Sequence, residues 1–438
     1  MVCLMLSLNY KPPMMKRYDK YKESGIPWIG AIPEHWEVQR LGRCFGENRS
    51  LNSDLECTEA YKFNYGSLIR KDENINPQEL VDTYTKYTLL RENDIIINGL
   101  NLNYDFVTQR VAIATQKGII TSAYLTLSPR RGINHNYYCL LFKAMDSMKL
   151  FHGMGSGIRL TLSYKDLKNQ CLPLPPLYEQ EAIVAYLEEK VAQMDSLAAK
   201  QEAQIAYLRE LKQAIIAQAV TQGLDPHAPL RPSGIPWIGA IPKHWKVQRL
   251  GRCFGENRAL NSDLECTEAY KFNYGSLIRK DENLNPQELV DTYMKYTLLR
   301  ENDIVINGLN LNYDFVSQRV AIATQKGIIT SAYLILSPRK GINHNYYCLL
   351  FKAMDSMRLF HGMGSGIRLT LSYKDLKNQW LPFPPPSEQE AIVTHINRKT
   401  EEIDRLIAMT EQEIARVREL KQTLIADVVT GRINVQPT

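Results

Sequence analysis

Two short stretches carry the side chains best suited to recognition chemistry. Tyr61-Lys62-Phe63-Asn64-Tyr65, followed by Arg70 and Lys71, interleaves aromatic and basic groups. Asn98-Gly99-Leu100-Asn101-Leu102-Asn103-Tyr104 follows an apolar run and offers three side-chain amides. An asparagine amide can bond two edge atoms of adenine in the DNA major groove, and an arginine can do the same for guanine. Arg110, Arg159 and Lys165 add cations of the kind that hold phosphates, which positions a protein without selecting a sequence. Any one of these residues is more often a solvated loop side chain. The set gains weight because it occurs twice. Tyr270, Lys271, Asn273, Tyr274, Arg279 and Lys280 repeat the first stretch; Asn307, Asn310, Asn312, Tyr313 and Arg319 repeat the second; Arg368 and Lys374 repeat the remaining cations.

The residue patterns of common catalysts are missing. There is no GxxxxGK[ST], HExxH or GxSxG, so the usual phosphate-cradling loop, zinc protease helix and nucleophile elbow are not indicated. Gly153-Met154-Gly155-Ser156-Gly157 can approach a phosphate through backbone N–H groups, but a glycine-rich turn is more often only a turn. His135 and Cys139 stand four apart and read as core residues rather than a metal pair. An amino-methyltransferase needs a polar residue before its Pro-Pro turn, and Leu172-Pro173-Leu174-Pro175-Pro176 has none. The eight cysteines form no CxxC and suggest buried reduced thiols. No apolar run is long enough for a membrane span. In the first residues the positive charges follow the short apolar piece instead of preceding it, unlike a signal peptide, so a cytoplasmic protein is expected.

The elements that must position these stretches are legible from pattern. Asp94–Ile97, Val111–Ala114 and Ala123–Leu127 read as strands, 136–148 as a helix and Ser163–Lys168 as a short helix. From Glu179 to Thr221 no Pro or Gly interrupts the chain. Ile183, Leu187, Val191, Met194, Ala198, Ile205, Leu208, Leu211 and Ile215 form an apolar stripe with one polar gap at Gln201. Such a helix would be about 60–65 Å long and needs a partner. A second helix from Glu388 to Thr430 supplies one, through Ile392, Ile396, Ile403, Ile407, Ile414, Val417, Leu420 and Leu424.

Residues 24–180 return at 233–389 with an offset of 209 and only 14 differences in 157 positions. The long helices keep the offset but have diverged far more, so one unit is used twice. The net charge of +6 is modest, and it lies mainly in the repeated segments: +1 in the first and +5 in the second. Glu34 and Glu37 against Lys243 and Lys246 account for that difference. The connection from 222 to 235 spans at most about 50 Å fully extended. The second copy must then begin near the end of the first helix, and the second helix runs back antiparallel along it.

The expected fold is α+β: two globular mixed α/β domains joined by two long antiparallel coiled-coil helices with pseudo-two-fold symmetry. The segments are an arm at 1–23, a first domain at 24–178, a first helix at 179–222, a linker at 223–232, a second domain at 233–387, a second helix at 388–431 and a tail at 432–438. Three functions fit the residues taken alone: a DNA-reading module, an enzyme with an unusual active site, or a coiled-coil adaptor with two protein-binding heads.

Several stretches resemble the specificity subunit of type I restriction-modification systems. They are Ser24–Trp36, Gly118–Leu125, Leu172–Tyr186 and the helix end Leu211-Lys212-Gln213 with Ala219-Val220-Thr221, each recurring 209 residues later. The resemblance covers about 15–438. It implies two target-recognition domains, each reading half of a split site in double-stranded DNA. It implies two methyltransferase (modification) subunits and restriction/translocase subunits as partners. S-adenosylmethionine, ATP and Mg would belong to those partners, with no cofactor bound by this chain. The near-identity of the two domains departs from the family pattern, in which they usually differ, and leads to the expectation of an inverted-repeat site.

Overall fold

The computed structural model describes residues 16–71, 77–103, 109–157, 160–280, 286–312, 318–364, 366 and 369–436. The chain divides into two compact units. One comprises Met1–Gln201 with Gln412–Thr438, the other Glu202–Glu411. Each unit therefore combines a globular domain with one half of each long helix.

In the first unit a four-stranded antiparallel sheet has the order Phe45–Glu47, Leu125–Pro129, Ile95–Ile97, Val111–Ile113. Ile95, Ile96 and Ile97 are all fully buried, so this strand packs on both faces, as its unbroken apolar run requires. The expected strand at Ala123–Leu127 begins later, at Leu125, because 121–124 forms a turn closed by Tyr124 N to Thr121 O. The helix His135–Ser147 is capped by Asn134, whose side chain accepts from Tyr137 N. It buries Tyr137, Tyr138, Leu141, Phe142 and Met145. The short helix Tyr164–Leu167 starts with a capping box between Ser163 and Asp166. Glu37–Arg40 pairs with Cys171–Leu174 and ties the two ends of the domain together.

The second unit repeats this plan. Its sheet runs Phe254–Glu256, Leu334–Pro338, Ile304–Ile306, Val320–Ile322, and its helix is His344–Ser356. A second sheet contains Ser276–Arg279, Ala269–Asn273, Gly327–Thr330 and Tyr296–Leu299. The matching strands of the first unit form two pairs linked by the parallel bridge Ala60↔Ile119.

The long helices span Leu177–Gln222 and Pro386–Val429. Half of each packs antiparallel against half of the other within each unit. The seam follows a heptad more regular than the apolar residues alone suggest. On the first helix it is Met194, Ala198, Gln201, Ile205, Leu208, Lys212, Ile215 and Ala219, all buried or half-buried. On the second it is Ile403, Ile407, Thr410, Ile414, Val417, Lys421, Leu424 and Val428. Gln201 is thus a seam residue rather than a gap. Leu420, expected on the seam, is 40 % exposed, because the steps of three and four place Lys421 there instead. The two seam lysines lie along the apolar groove and reach carboxylates at its edge. Lys421 Nζ meets Asp195 at 2.6 Å in the first unit, and Lys212 Nζ meets Asp404 at 2.7 Å in the second. These pairs are equivalent under the offset of 209, and they mark the same register in both units.

The similar ends of the two helices are explained by what they enter. Leu424, Val428 and Val429 belong to the first unit's core, and the Tyr137 hydroxyl donates to Val429 O at 2.7 Å. Ala219 and Val220 belong to the second unit's core, and the Tyr346 hydroxyl donates to Val220 O at 2.7 Å. Burial pushes the pKa of both tyrosines well above the ordinary phenol value, so both remain neutral donors. The first unit also holds both ends of the described chain together, with Asn434 N donating to Lys16 O.

At the start of each helix a carboxylate anchors the domain. Glu179 accepts from Trp36 Nε1 at 2.8 Å and from the hydroxyls of Tyr18 and Tyr178, and it bonds His35 Nε2 at 2.5 Å. Among the described residues Glu388 keeps only the bonds to Trp245 and His244. His227 and Ser387 stand at the positions equivalent to Tyr18 and Tyr178, and the Glu388 side chain is 39 % exposed against 2 % for Glu179.

Two substitutions test the seam. Leu208→Asp places a charge at a position 8 % exposed and should cost about 3 kcal/mol in chemical denaturation. Gln201 Oε1 is buried without a hydrogen-bond partner among the described residues. Gln201→Leu should therefore raise stability by about 1 kcal/mol in the same measurement.

Candidate nucleic-acid interface

The two recognition stretches fold into neighbouring pieces. Tyr61–Asn64 and Ser67–Arg70 form an antiparallel hairpin in which Lys62 faces Ile69 and Asn64 faces Ser67. Strand alternation divides its residues. Tyr61, Phe63 and Leu68 turn inward to a small core with Leu90, Ile96 and Ile120. Lys62, Asn64, Ser67 and Ile69 are exposed on the outer face. Tyr65 and Gly66 make the turn with φ of 40° and 76°, as a type I′ hairpin turn requires. A Cβ on Gly66 would lie 3.6 Å from the Gln109 side chain. The hairpin tip therefore sits beside the strand that leaves the asparagine loop.

That loop is shaped from below by Arg110. Its side chain donates from Nη1 to Asn98 O at 2.8 Å and to Leu100 O at 2.9 Å, and its backbone N–H donates to Asp146 Oδ2 at 2.6 Å. Arg110 is only 3 % exposed. The glycine-rich turn closes the arrangement. Leu162 N donates to Gly99 O and Leu102 N to Leu160 O, and a Cβ on Gly99 would meet Leu162 O at 2.7 Å. Gly99 is thus required by the close approach of two backbones. The hairpin tip thus lies against Gln109 and Val111, where the asparagine loop rejoins the sheet, and the loop itself lies against Leu160 and Leu162.

The expected contacts divide accordingly. Lys62, Asn64 and Tyr65 are exposed on the hairpin, and Asn101 and Asn103 on the loop. Asn98 is half-buried, and its side-chain oxygen accepts from Leu100 N. Tyr61 is corrected to a core residue, 8 % exposed, because it lies on the inward face. Arg110 is corrected from a phosphate ligand to a buried loop support. Arg70 is exposed but paired with Glu59 at 3.0 Å, and Lys71 donates to the Tyr87 hydroxyl at 3.1 Å. Lys165 is exposed on the short helix, whose end accepts from Gly42 N through Lys168 O rather than meeting the loops. Tyr104 and Arg159 lie outside the described residues.

The second unit gives the same division. Lys271, Asn273, Tyr274, Asn310, Asn312 and Lys374 are exposed, and Asn307 is half-buried. Tyr270 and Arg319 are buried. Arg279 pairs with Glu268, and Lys280 with the Tyr296 hydroxyl. Tyr313 and Arg368 lie outside the described residues. Sequence reading placed Ser67, Ile69 and Gln109 within the candidate stretches 61–71 and 98–110 without singling them out as contacts, and likewise their equivalents Ser276, Ile278 and Gln318. The hairpin register was the signal: once Lys62 and Asn64 face outward, their cross-strand partners must do so too.

No group of three or more metal-ligating side chains occurs among the described residues. His135 is half-buried and Cys139 buried; burial lowers the imidazole pKa and raises the thiol pKa, as for core residues. The placement of Arg110 is directly testable. Arg110→Ala should cost about 3 kcal/mol in denaturation, since two loop carbonyls lose a charged donor. Loss of DNA affinity with unchanged stability would instead return Arg110 to the phosphate role.

Comparison with known proteins bears on the chain as a whole. A family model described as the type I restriction modification DNA specificity domain matches residues 33–207. The second copy repeats nearly all of that globular segment. The MjaVIII type I restriction enzyme specificity subunit of Methanocaldococcus jannaschii is 24 % identical over 95 % of this chain and 97 % of its own length. The EcoBI specificity subunit of Escherichia coli is 26 % identical over 63 % of this chain and 61 % of its own. A chain from a solved type I restriction-modification system aligns with a TM-score of 0.66 at 16 % identity, covering 91 % of this chain and 98 % of that one. The HsdS subunit of Thermoanaerobacter tengcongensis aligns with a TM-score of 0.51 at 16 % identity, covering 92 % and 98 %. The match over residues 33–207 is thus to a type I restriction modification DNA specificity domain, and over nearly its whole length the chain is similar to type I restriction enzyme specificity subunits and shares the fold of their solved relatives.

Proposed function

We propose that the chain is the non-catalytic DNA-reading subunit of a type I restriction-modification complex, with each globular domain reading one half of a bipartite site. The observation that carries this reading is the duplicated loop cluster. Two nearly identical domains present the same exposed lysine, asparagine and tyrosine side chains on a hairpin and an adjoining loop. Asparagine amides can read base edges, while lysines hold the backbone. The long helices would scaffold two methyltransferase subunits and the restriction/translocase subunits. S-adenosylmethionine, ATP and Mg would then act in those partners. No helix among the described residues is long and apolar enough to cross a membrane, and we assign the complex to the cytoplasm.

The two halves of the site should be one sequence read on opposite strands. Of the 14 differences between the copies, none falls on the hairpin 61–71, and Thr108 against Ser317 is the one change within 98–110. Nearly identical surfaces read the same bases, and a two-fold arrangement of readers is mirrored in an inverted repeat. Single-molecule sequencing of DNA from a host carrying this chain with its methyltransferase subunit should show adenine methylation at an inverted repeat with an unread spacer. Two unrelated halves would exclude identical reading, and no methylated site would exclude the assembly.

A further inference from the structure

We infer that the hairpin Tyr61–Arg70, with its copy Tyr270–Arg279, enters the DNA major groove, and that Tyr65 and Tyr274 are its leading side chains. The inference rests on the DNA-reading function above and names the element that performs it.

The turn itself is the first argument. A type I′ turn needs positive φ at both central residues and favours Asn-Gly or Gly-Gly. Here the first central residue is tyrosine, at φ 40° in both copies. A bulky side chain in that region is strained. Packing does not compensate, because Tyr65 and Tyr274 are 73 % and 74 % exposed. The fold therefore holds a large aromatic in a costly conformation and leaves it in solvent. Such strain is found where function needs the side chain.

The ribbon's shape and chemistry are the second argument. A two-stranded ribbon fits the width of the major groove. The outer face carries one cation, one amide, one hydroxyl and one apolar side chain: Lys62, Asn64, Ser67 and Ile69, repeated as Lys271, Asn273, Ser276 and Ile278. The amide and hydroxyl suit base edges, and the isoleucine suits a thymine methyl. Arg70 and Arg279, which would grip backbone, are turned to Glu59 and Glu268 instead. The tip's contact with Gln109 places the asparagine loop next to the groove that the ribbon occupies. A protein partner on this face would not need the same ribbon in both domains beside an amide-bearing loop.

The test uses the full chain assembled with its methyltransferase subunits, a duplex containing the methylated site, and a scrambled duplex of equal length. The variant is Tyr65→Asn with Tyr274→Asn, since asparagine suits the turn. We expect the variant to keep or raise Tm, to lose about tenfold or more in affinity for the site, and to bind the scrambled duplex within about twofold of the parent. Replacing the site's purines with 7-deaza analogues, which lack the major-groove N7 acceptor, should weaken the parent complex. The inference is overturned if site affinity is unchanged, or if both duplexes lose affinity equally, which would place the tip on phosphate. It is also overturned if the 7-deaza duplex binds like the natural one. A parent complex that prefers no duplex would remove the DNA-reading function itself. Should the double asparagine variant fold poorly, Tyr65→Gly with Tyr274→Gly serves the same comparison.

Discussion

Two buried tyrosine hydroxyls decide how this chain is put together. Helices of 46 and 44 residues with a polar outer surface gain little from propensity alone and depend on tertiary burial. Each ends inside a globular core, where one tyrosine hydroxyl donates to a carbonyl of its last turn. An unpaired carbonyl at that depth would be costly. The contact therefore fixes how deep the helix end sits and which residues become core. Because the contact in the first unit joins Tyr137 to Val429, that unit includes residues from both ends of the sequence.

Register along the seam follows from the same economy of small terms. Exposed ion pairs contribute little stability, yet Asp195–Lys421 and Lys212–Asp404 recur at equivalent positions although the helices around them have diverged. Their role fits specification: a shift of one heptad would leave seam lysines without carboxylates. Gln201 and Thr410, also equivalent, interrupt the apolar seam at one position on each helix. Polar seam residues select among registers at some expense of stability.

Much of the fold was legible because its signals are local. Apolar periodicity gave both long helices to within two residues, and the triple isoleucine run gave the central strand. The repeat announced that the same strands and helices recur 209 residues later, as the second unit's sheet and helix do. The site was less legible because sequence shows residue type but not direction. Tyr61 and Tyr65 look alike in a string, yet alternation buries one and the turn exposes the other. Arg110 looks like a phosphate ligand until the asparagine loop is folded over it. The exposed leucine at 420 shows the same limit for helices: lysine took the seam position because its long stem can lie in an apolar groove.

The anchors at Glu179 and Glu388 give the two near-copies different mechanical tolerance. The carboxylate is the same, and so are the tryptophan and histidine that hold it. In the first unit two tyrosines close it off, whereas in the second, water and salt ions reach it. Opening of a domain's base begins where solvent can replace a protein contact one bond at a time. The second domain should thus be the first to loosen on its helix, and domains of nearly identical sequence would unfold in a fixed order.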